Sequence, residues 1–328
     1  MRTYEFVIGL GEAGLRLDQY LTRHLPAGVS RAVIQRGIRS GMVTVGAQPV
    51  KVHYKLRPRD VIRAAFRELA SQGGDAVLTP QEIPLDIAYE DAHLLVVNKP
   101  PGLVTHPAPG HWDGTLVNAL LWHIQQRQAT SDKRQELSRA GIVHRLDKDT
   151  SGLLLVAKTA LIHTALGRQL KARTIHRRYL ALAEGCLPLD SGTINAPMGR
   201  HQVHRKVMTI RSLGGRSAVT HYRVLKRYPA AAAPAFTALE LTLDTGRTHQ
   251  IRVHLAHLGY PVMGDPIYGK RATGFWQPLG VTRQLLHAHQ LTFQHPVTRR
   301  ELTVTAALPE DLARWLDPAT LKRLASVE

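Results

Sequence analysis

Leu15, Leu17, Tyr20 and Leu21 fall at helical spacing, and Val33, Ile34 and Ile38 repeat the pattern behind Ser30, which stands at an N-cap position. The spacing predicts two short helices. Gly41 ends the second one, and Val43 and Val45, alternating ahead of a turn at Gly46, predict a hairpin that closes near Val61 and Ile62. Residues 1–66 therefore read as one small unit. Residues 67–82, RELASQGGDAVLTPQE, carry Gly73, Gly74 and Pro80 with few large apolar groups and read as a linker. From Ile83 to the end at residue 328 the pattern changes. The run DIAYEDAHLLVVNKPPG predicts two strands before a Pro-Pro-Gly turn, and Leu116 to Trp122 predicts a helix. Ile142 to Arg145 and Leu153 to Ala157 read as strands, and Leu161 to Leu170 as an amphipathic helix. Ser217 to Leu225, Thr237 to Leu243 and Leu302 to Ala306 read as further strands. Polar residues 125–139 read as an insertion, and the alanines between Pro229 and Pro234 as a loop tip. The larger domain is thus expected to be α+β, a large mixed, mostly antiparallel sheet flanked by helices.

Hydrophobic residues at 44% and charged residues at 21% place the chain among folded proteins. Its charge is less ordinary. Lys and Arg number 43 against 25 Asp and Glu, a net +18 with a pI near 10.5, which points to a polyanionic partner. No stretch reaches membrane-spanning length, and the N-terminal MRTYEFVIGLGEAG lacks the features of a secretory signal, so a cytoplasmic protein is expected. A single cysteine, Cys186, permits neither an internal disulfide nor a cysteine-based zinc site. The basic excess begins early: residues 1–66 hold eleven Lys and Arg against four Asp and Glu. Arg31, Arg36 and Arg39 form a basic stripe on the second predicted helix, where a merely solvated face is the alternative. The run RLDQYLTRHLPAGVSRAVIQRGIRSGMVTVGAQPVK, over roughly residues 15–62, resembles the S4 RNA-binding domain. That resemblance implies RNA contact at Arg31, Arg36 and Arg39.

The densest candidate for chemistry is GIVHRLDKDTSGLLLVAK, residues 141–158, polar in the middle and apolar on both sides. Two strands are expected to hold out a turn bearing Arg145, Asp147, Lys148 and Asp149. A decorated turn is the plain alternative. As a calcium loop starting at Asp147 it would place Lys158 where a glutamate is required. As half of an aspartic protease it would pair Asp149-Thr-Ser with Asp244-Thr-Gly, yet Arg247 would disturb the shared proton. The remaining reading is one ionised aspartate acting as nucleophile or base in a basic site. A second constellation, LDTGRTHQIRVH at residues 243–254, concentrates Arg247, His249, Gln250 and Arg252 after a glycine turn. His249, His254, His257, His287 and His289 invite a metal reading, but their spacing lacks the helical zinc pattern and no acidic residue lies among the first three. In RRYLAL, residues 177–182, Tyr179 reads on its own as a packed strand residue, and NKPPGLVTHP as a stiff turn.

Taken together, NKPPGLVTHPAPGHWDGTLVNAL, GIVHRLDKDTSGLLLVAK, RRYLALAEG, AVTHYRVL, LDTGRTHQIRVHLAHLGYPVMGDPIYG and LLHAHQLTFQHP resemble the pseudouridine synthases of the RluA type. In particular they resemble those acting on large-subunit ribosomal RNA behind an S4 domain, and the likeness spans nearly the whole chain. The insertion near 125–139 and the alanine-rich tip near 230 depart from the family outside these motifs. The resemblance implies isomerisation of uridine to pseudouridine without cofactor or metal. Asp147 matches the family's essential aspartate, Tyr179 the tyrosine that stacks on the base, and Arg247 the arginine that pairs with the aspartate. Arg145 matches the residue that fills the gap left by a flipped nucleotide, and His144, Lys148, His249 and Arg252 are further candidates for RNA contact. The expected partner is large-subunit ribosomal RNA or a pre-ribosomal particle, with no membrane and no small-molecule cofactor, the protein acting as a monomer. Physical chemistry agrees, since a stacked uracil must leave its helix before a carboxylate can reach its glycosidic bond. An adjacent guanidinium favours the ionised carboxylate such a step needs. Two rival functions remain at this point: a catalytically silent RNA-binding assembly factor, and an aspartic protease.

Overall fold

The computed structural model describes residues 2–25, 31–66, 79–107, 113–127, 138–204, 207–230, 234–271 and 273–325. Its contacts divide the chain into two compact units at Leu78/Thr79. Most of the predicted linker, the Ser30 cap, and parts of the polar insertion and alanine-rich tip lie outside the described residues.

The first unit contains β1 (Arg2–Val7), α1 (Leu17–His24), α2 (Arg31–Arg39), β2 (Val43–Val45), β3 (Gln48–Pro49) and β4 (Val61–Phe66). Both predicted helices and the hairpin are present. The strands make an antiparallel sheet in the order β1-β4-β2-β3. Leu17 and Leu21 of α1 and Ile34 and Ile38 of α2 are at most 1% exposed against Val43 and Ile62 of the sheet. Each such side chain contributes roughly 1.5–3 kcal/mol by leaving water. Asp18 is buried between the helices and accepts from Arg16 Nε at 3.0 Å and Gln35 Nε2 at 2.9 Å. That arrangement leaves Arg36 and Arg39 exposed on the outer face of α2, whose first residue is Arg31.

The second unit runs through β5 (Ile87–Glu90), β6 (Leu94–Lys99), α3 (Leu116–Arg127), β7 (Ser151–Ala157), α4 (Ala160–Ala172), β8 (His176–Glu184) and β9 (Ser191–Asn195). It continues with the small hairpin β10 (Met198–Arg200) and β11 (Met208–Ile210), then β12 (Val219–Tyr228), β13 (Phe236–Leu243), α5 (Gln250–His257) and α6 (Thr273–Trp276). The last elements are β14 (Leu286–Gln294), β15 (Glu301–Thr305), α7 (Glu310–Ala313) and α8 (Pro318–Ala325). Eight strands follow the order β5-β6-β7-β14-β8-β13-β12-β9, and β15 pairs with β14. Among the described strands only the β7–β14 contact is parallel, so the sheet is mixed and mostly antiparallel as expected. Residues 153–157 of β7 are all 1% exposed or less, because β7 lies inside the sheet with α4 packed on it through Ile162 and Leu166.

One expectation fails here. Ile142 to Arg145 is not a strand: it makes a single bridge, Ile142 to Val156, to which the bond from Val143 N to Leu155 O at 3.0 Å belongs. The next rung is taken by a side chain, since the Leu155 amide donates to His144 Nε2 at 3.2 Å. The ladder stops there, and the chain turns out toward Asp147. Thus one strand, not two, supports the predicted turn. At its start Gly152 has φ +110°, and a Cβ there would stand 2.3 Å from the Ala288 carbonyl oxygen. Only glycine permits this approach of β7 to β14. Gly152, Ala288 and Tyr179 consequently lie in register across β7, β14 and β8.

Candidate active site

The loop from Gly141 to Thr150 is held by its backbone carbonyls. Lys99, wholly buried at the end of β6, donates to Pro100 O at 2.7 Å, Leu103 O at 3.0 Å and Lys148 O at 2.8 Å. Thr105 Oγ1 donates to Leu146 O at 2.8 Å, and Arg283 Nη1 to Asp149 O at 3.0 Å. Arg283 is itself forked onto Asp311 at 2.6 and 2.8 Å. Three donors from two distant segments therefore fix the residues on both sides of Asp147, which is the preorganisation a reacting group requires.

Asp147 Oδ2 accepts from Arg252 Nη1 at 3.2 Å, while its Oδ1 lies 3.9 Å from His249 Nε2. Arg252 projects from α5, its side chain 4% exposed, and donates from Nε and Nη2 to Asp265 at 2.6 and 2.8 Å. Burial opposes the Arg252 charge, but the hydrogen bonds and charge of Asp265, and then those of Asp147, outweigh it and hold the guanidinium above its ordinary pKa. Asp265 is completed by the amides of Ile267 at 2.9 Å and Tyr268 at 3.0 Å, and the Tyr268 ring lies 5.2 Å beneath the guanidinium. The arginine on Asp147 is thus a permanently charged group whose position is set by a second, buried carboxylate.

This corrects the expected pairing. Arg247 lies in the turn before α5, its Nε donating to the Ser217 carbonyl at 3.1 Å and its amide to Gln250 Oε1 at 3.0 Å. The guanidinium hydrogen-bonded to Asp147 belongs to Arg252, read from sequence only as a candidate RNA contact. His144 is tied into the fold: its Nε2 accepts from the Leu155 amide and its Nδ1 is buried, and burial, helped by Arg177, drives its pKa to about 3, so the ring is neutral near pH 7. Arg145 and Lys148 are exposed on either side of Leu146 and Asp147.

Tyr179, on β8, is 5% exposed, and its hydroxyl has no hydrogen-bond partner among the described residues. Burial raises its pKa, with Asp147 adding to the rise and Arg177 opposing it, so the phenol keeps its proton at neutral pH. Two residues earlier on the same strand face, Arg177 is 8% exposed and makes one long bond, Nη2 to Leu243 O at 3.4 Å. Gly246 gives it room, since a Cβ there would stand 2.8 Å from Arg177 Nη1. Lys99, Arg177, Asp265, Tyr268 and Arg283 were not singled out by sequence reasoning. For Lys99 the strand alternation held a signal: it places the lysine on the inner side of β6.

The rival readings find no geometry. Asp244 faces His221 at 3.2 Å and Arg173 at 4.0 Å. Two histidines proposed as metal ligands serve the fold: His254 bonds Thr220 Oγ1 and the Ala196 carbonyl, and His287 bonds Ser151 Oγ. Among the described residues no group of three or more His, Cys, Asp or Glu could hold a metal ion. Among them, too, no helix is long and apolar enough to cross a membrane.

A carboxylate on a fixed loop, oriented by a buried guanidinium near a protonated tyrosine, is an arrangement suited to acid–base or nucleophilic chemistry. Residues 93–257 match the family model for RNA pseudouridylate synthase, and residues 15–62 match the S4 domain. The chain belongs to the RNA pseudouridylate synthase family, the isomerases that make pseudouridine from uridine in RNA. Ribosomal large subunit pseudouridine synthase D of Pseudomonas aeruginosa is 44% identical over 313 residues, covering 92% of this chain and 91% of its own. Its namesake from Xanthomonas campestris pv. campestris is 44% identical over 323 residues, covering 93% and 88%. An uncharacterized RNA pseudouridine synthase of Bacillus subtilis is 43% identical over 288 residues, covering 88% and 89%. Among solved structures, human RNA pseudouridylate synthase domain containing 1 aligns with a TM-score of 0.55 and 27% identity, covering 74% of this chain and 96% of that one.

Proposed function

We propose that this protein isomerises uridines of large-subunit ribosomal RNA, with Asp147 as the reacting group. One observation carries the reading: Asp147 stands on a loop fixed at Leu146, Lys148 and Asp149, one oxygen on Arg252 and the other toward His249. The names of relatives that match along most of the chain support the choice of RNA. In the reaction the N1–C1′ bond breaks, the uracil turns in place and a C5–C1′ bond forms, while the C5 proton leaves and N1 gains one. Nothing is oxidised or reduced, so no redox partner enters the balance.

Asp147 serves either by attacking C1′ or by taking a ribose proton, and both routes need the ionised carboxylate that Arg252 favours and orients. Tyr179 receives the base beside it. Arg145, exposed two residues before the aspartate, fills the stack the nucleotide leaves and offsets the roughly few kcal/mol that extrusion costs. Arg36 and Arg39, on the exposed face of α2, hold the RNA backbone together with Arg31. The protein works as a cytoplasmic monomer on ribosomal RNA or a pre-ribosomal particle. Carbodiimide-stop sequencing of ribosomal RNA from a deletion strain tests this. The expected result is loss of particular pseudouridines from the large-subunit RNA alone, restored by the wild-type gene. An unchanged large-subunit map would refute it.

A further inference from the structure

His249, the N-cap residue just before α5, has φ +57°, a left-handed conformation rare for a residue with a side chain and kept only where the surroundings enforce it. Here that conformation carries the imidazole between two groups. Nδ1 lies 2.9 Å from the Tyr268 hydroxyl, and Nε2 lies 3.9 Å from Asp147 Oδ1. The Tyr268 hydroxyl already accepts the Met208 amide of β11 at 2.9 Å, so its own proton turns to Nδ1. The ring proton therefore sits on Nε2, the nitrogen that faces the aspartate. Tyr268 is fixed in turn by its backbone amide on Asp265 and by the Arg252 guanidinium over its ring. One hydrogen-bonded chain thus runs from the β10–β11 hairpin through Tyr268 to His249, whose Nε2 stops 3.9 Å short of the carboxylate oxygen that Arg252 leaves free.

We propose that His249 is a positioning residue for the isomerisation, supplying through Nε2–H the second donor to Asp147 when substrate closes the 3.9 Å gap, with Tyr268 and the Met208 amide fixing its tautomer. The inference rests on Asp147 being the reacting group. Donor gaps of this kind are common in enzymes without substrate and shorten in the reactive complex. With Arg252 on one oxygen and His249 on the other, the carboxylate plane is fixed. With Arg252 alone it can rotate about the Cβ–Cγ bond, and a displacement of about 1 Å at the reacting oxygen costs roughly 10²-fold in rate.

The test uses the full-length protein and a transcript of large-subunit ribosomal RNA, in single-turnover kinetics at saturating enzyme with RNA affinity measured separately. His249→Asn tolerates the left-handed backbone but is too short to reach Asp147, His249→Gln can reach it with an amide N–H, and Tyr268→Phe loses only the hydroxyl. His249→Asn and Tyr268→Phe are expected to slow the chemical step by roughly 10²-fold with RNA affinity unchanged, Tyr268→Phe also lowering the thermal midpoint by about 2–4 °C because the Met208 amide loses its acceptor. His249→Gln should recover much of the rate, and the Tyr268→Phe/His249→Asn pair should be no slower than His249→Asn, because both break one chain. Wild-type rates in the single variants, losses confined to RNA affinity, failure of His249→Gln to improve on His249→Asn, or additive losses would overturn the proposal. Asp147→Asn is measured alongside. If it is inactive while the His249 and Tyr268 variants are unaffected, the reading of Asp147 stands and the relay alone falls. If it is active, both fall.

Discussion

Replacing Arg252 with methionine keeps most of the buried apolar stem and removes the guanidinium with its charge and all three of its carboxylate bonds. Asp265, 0% exposed, then keeps only two backbone amides, and Asp147 loses its donor at 3.2 Å. Removing one partner of a buried ion pair costs about 3–5 kcal/mol, chiefly through the charge left behind. For a domain of this size that is a fall in thermal midpoint of about 10 °C. Arg252→Met/Asp265→Asn neutralises the stranded carboxylate and should recover most of that fall. Activity should stay lost in both, because Asp147 remains unheld. Arg247→Met should keep most of the rate, since among the described residues that side chain bonds only the Ser217 carbonyl. The assays are calorimetry and tritium release from RNA carrying 5-tritiated uridine. Unchanged stability in Arg252→Met, wild-type activity in the double variant, or loss of activity in Arg247→Met alone would refute the reasoning.

Lys99 gives a pH prediction: burial pulls its pKa from 10.5 to about 7, with Asp149 opposing. Between these values the unfolded chain holds a proton the folded one releases, so stability rises with pH from about 7 to 10.5, and Lys99→Met should flatten that rise in urea melts. Arg36→Gln/Arg39→Gln, on an exposed helix face, should leave the fold intact and reduce the salt slope of RNA binding by about 1.4–1.8 if each arginine meets one phosphate; filter binding across a salt series reads it. Gly152→Ala should destabilise the second unit by roughly 3 kcal/mol or more, because φ +110° is strained for alanine and its Cβ would meet the Ala288 carbonyl at 2.3 Å; denaturant unfolding measures it.

Much of the fold was legible where one face of an element is buried and the other wet. The helices of the small unit and α4, β12, β13 and β15 follow from periodicity to within a few residues. Two misses have definite causes. Residues 142–145 are apolar enough for a strand, but His144 occupies the Leu155 amide with its ring and stops the ladder, a side-chain competition that no pattern encodes. Helix α5 was missed because Gln250 to Leu255 are all buried, polar residues included, so no polar face marks the period. The pairing of Arg247 with the aspartate came from the resemblance, and with the helix unread nothing in the pattern set Arg247 in the turn apart from Arg252 in the first turn of α5. The turn that carries Asp147 was readable because its motif is local. Its supports, Lys99, Asp265, Tyr268 and Arg283, come from distant segments and emerge only when the sheet assembles.

The central claim is tested most directly by single-turnover tritium release with Asp147→Asn, an isosteric change that removes only the charge. The account predicts that this variant binds the ribosomal RNA as tightly as wild type and releases no tritium above background. Release at the wild-type rate would contradict it.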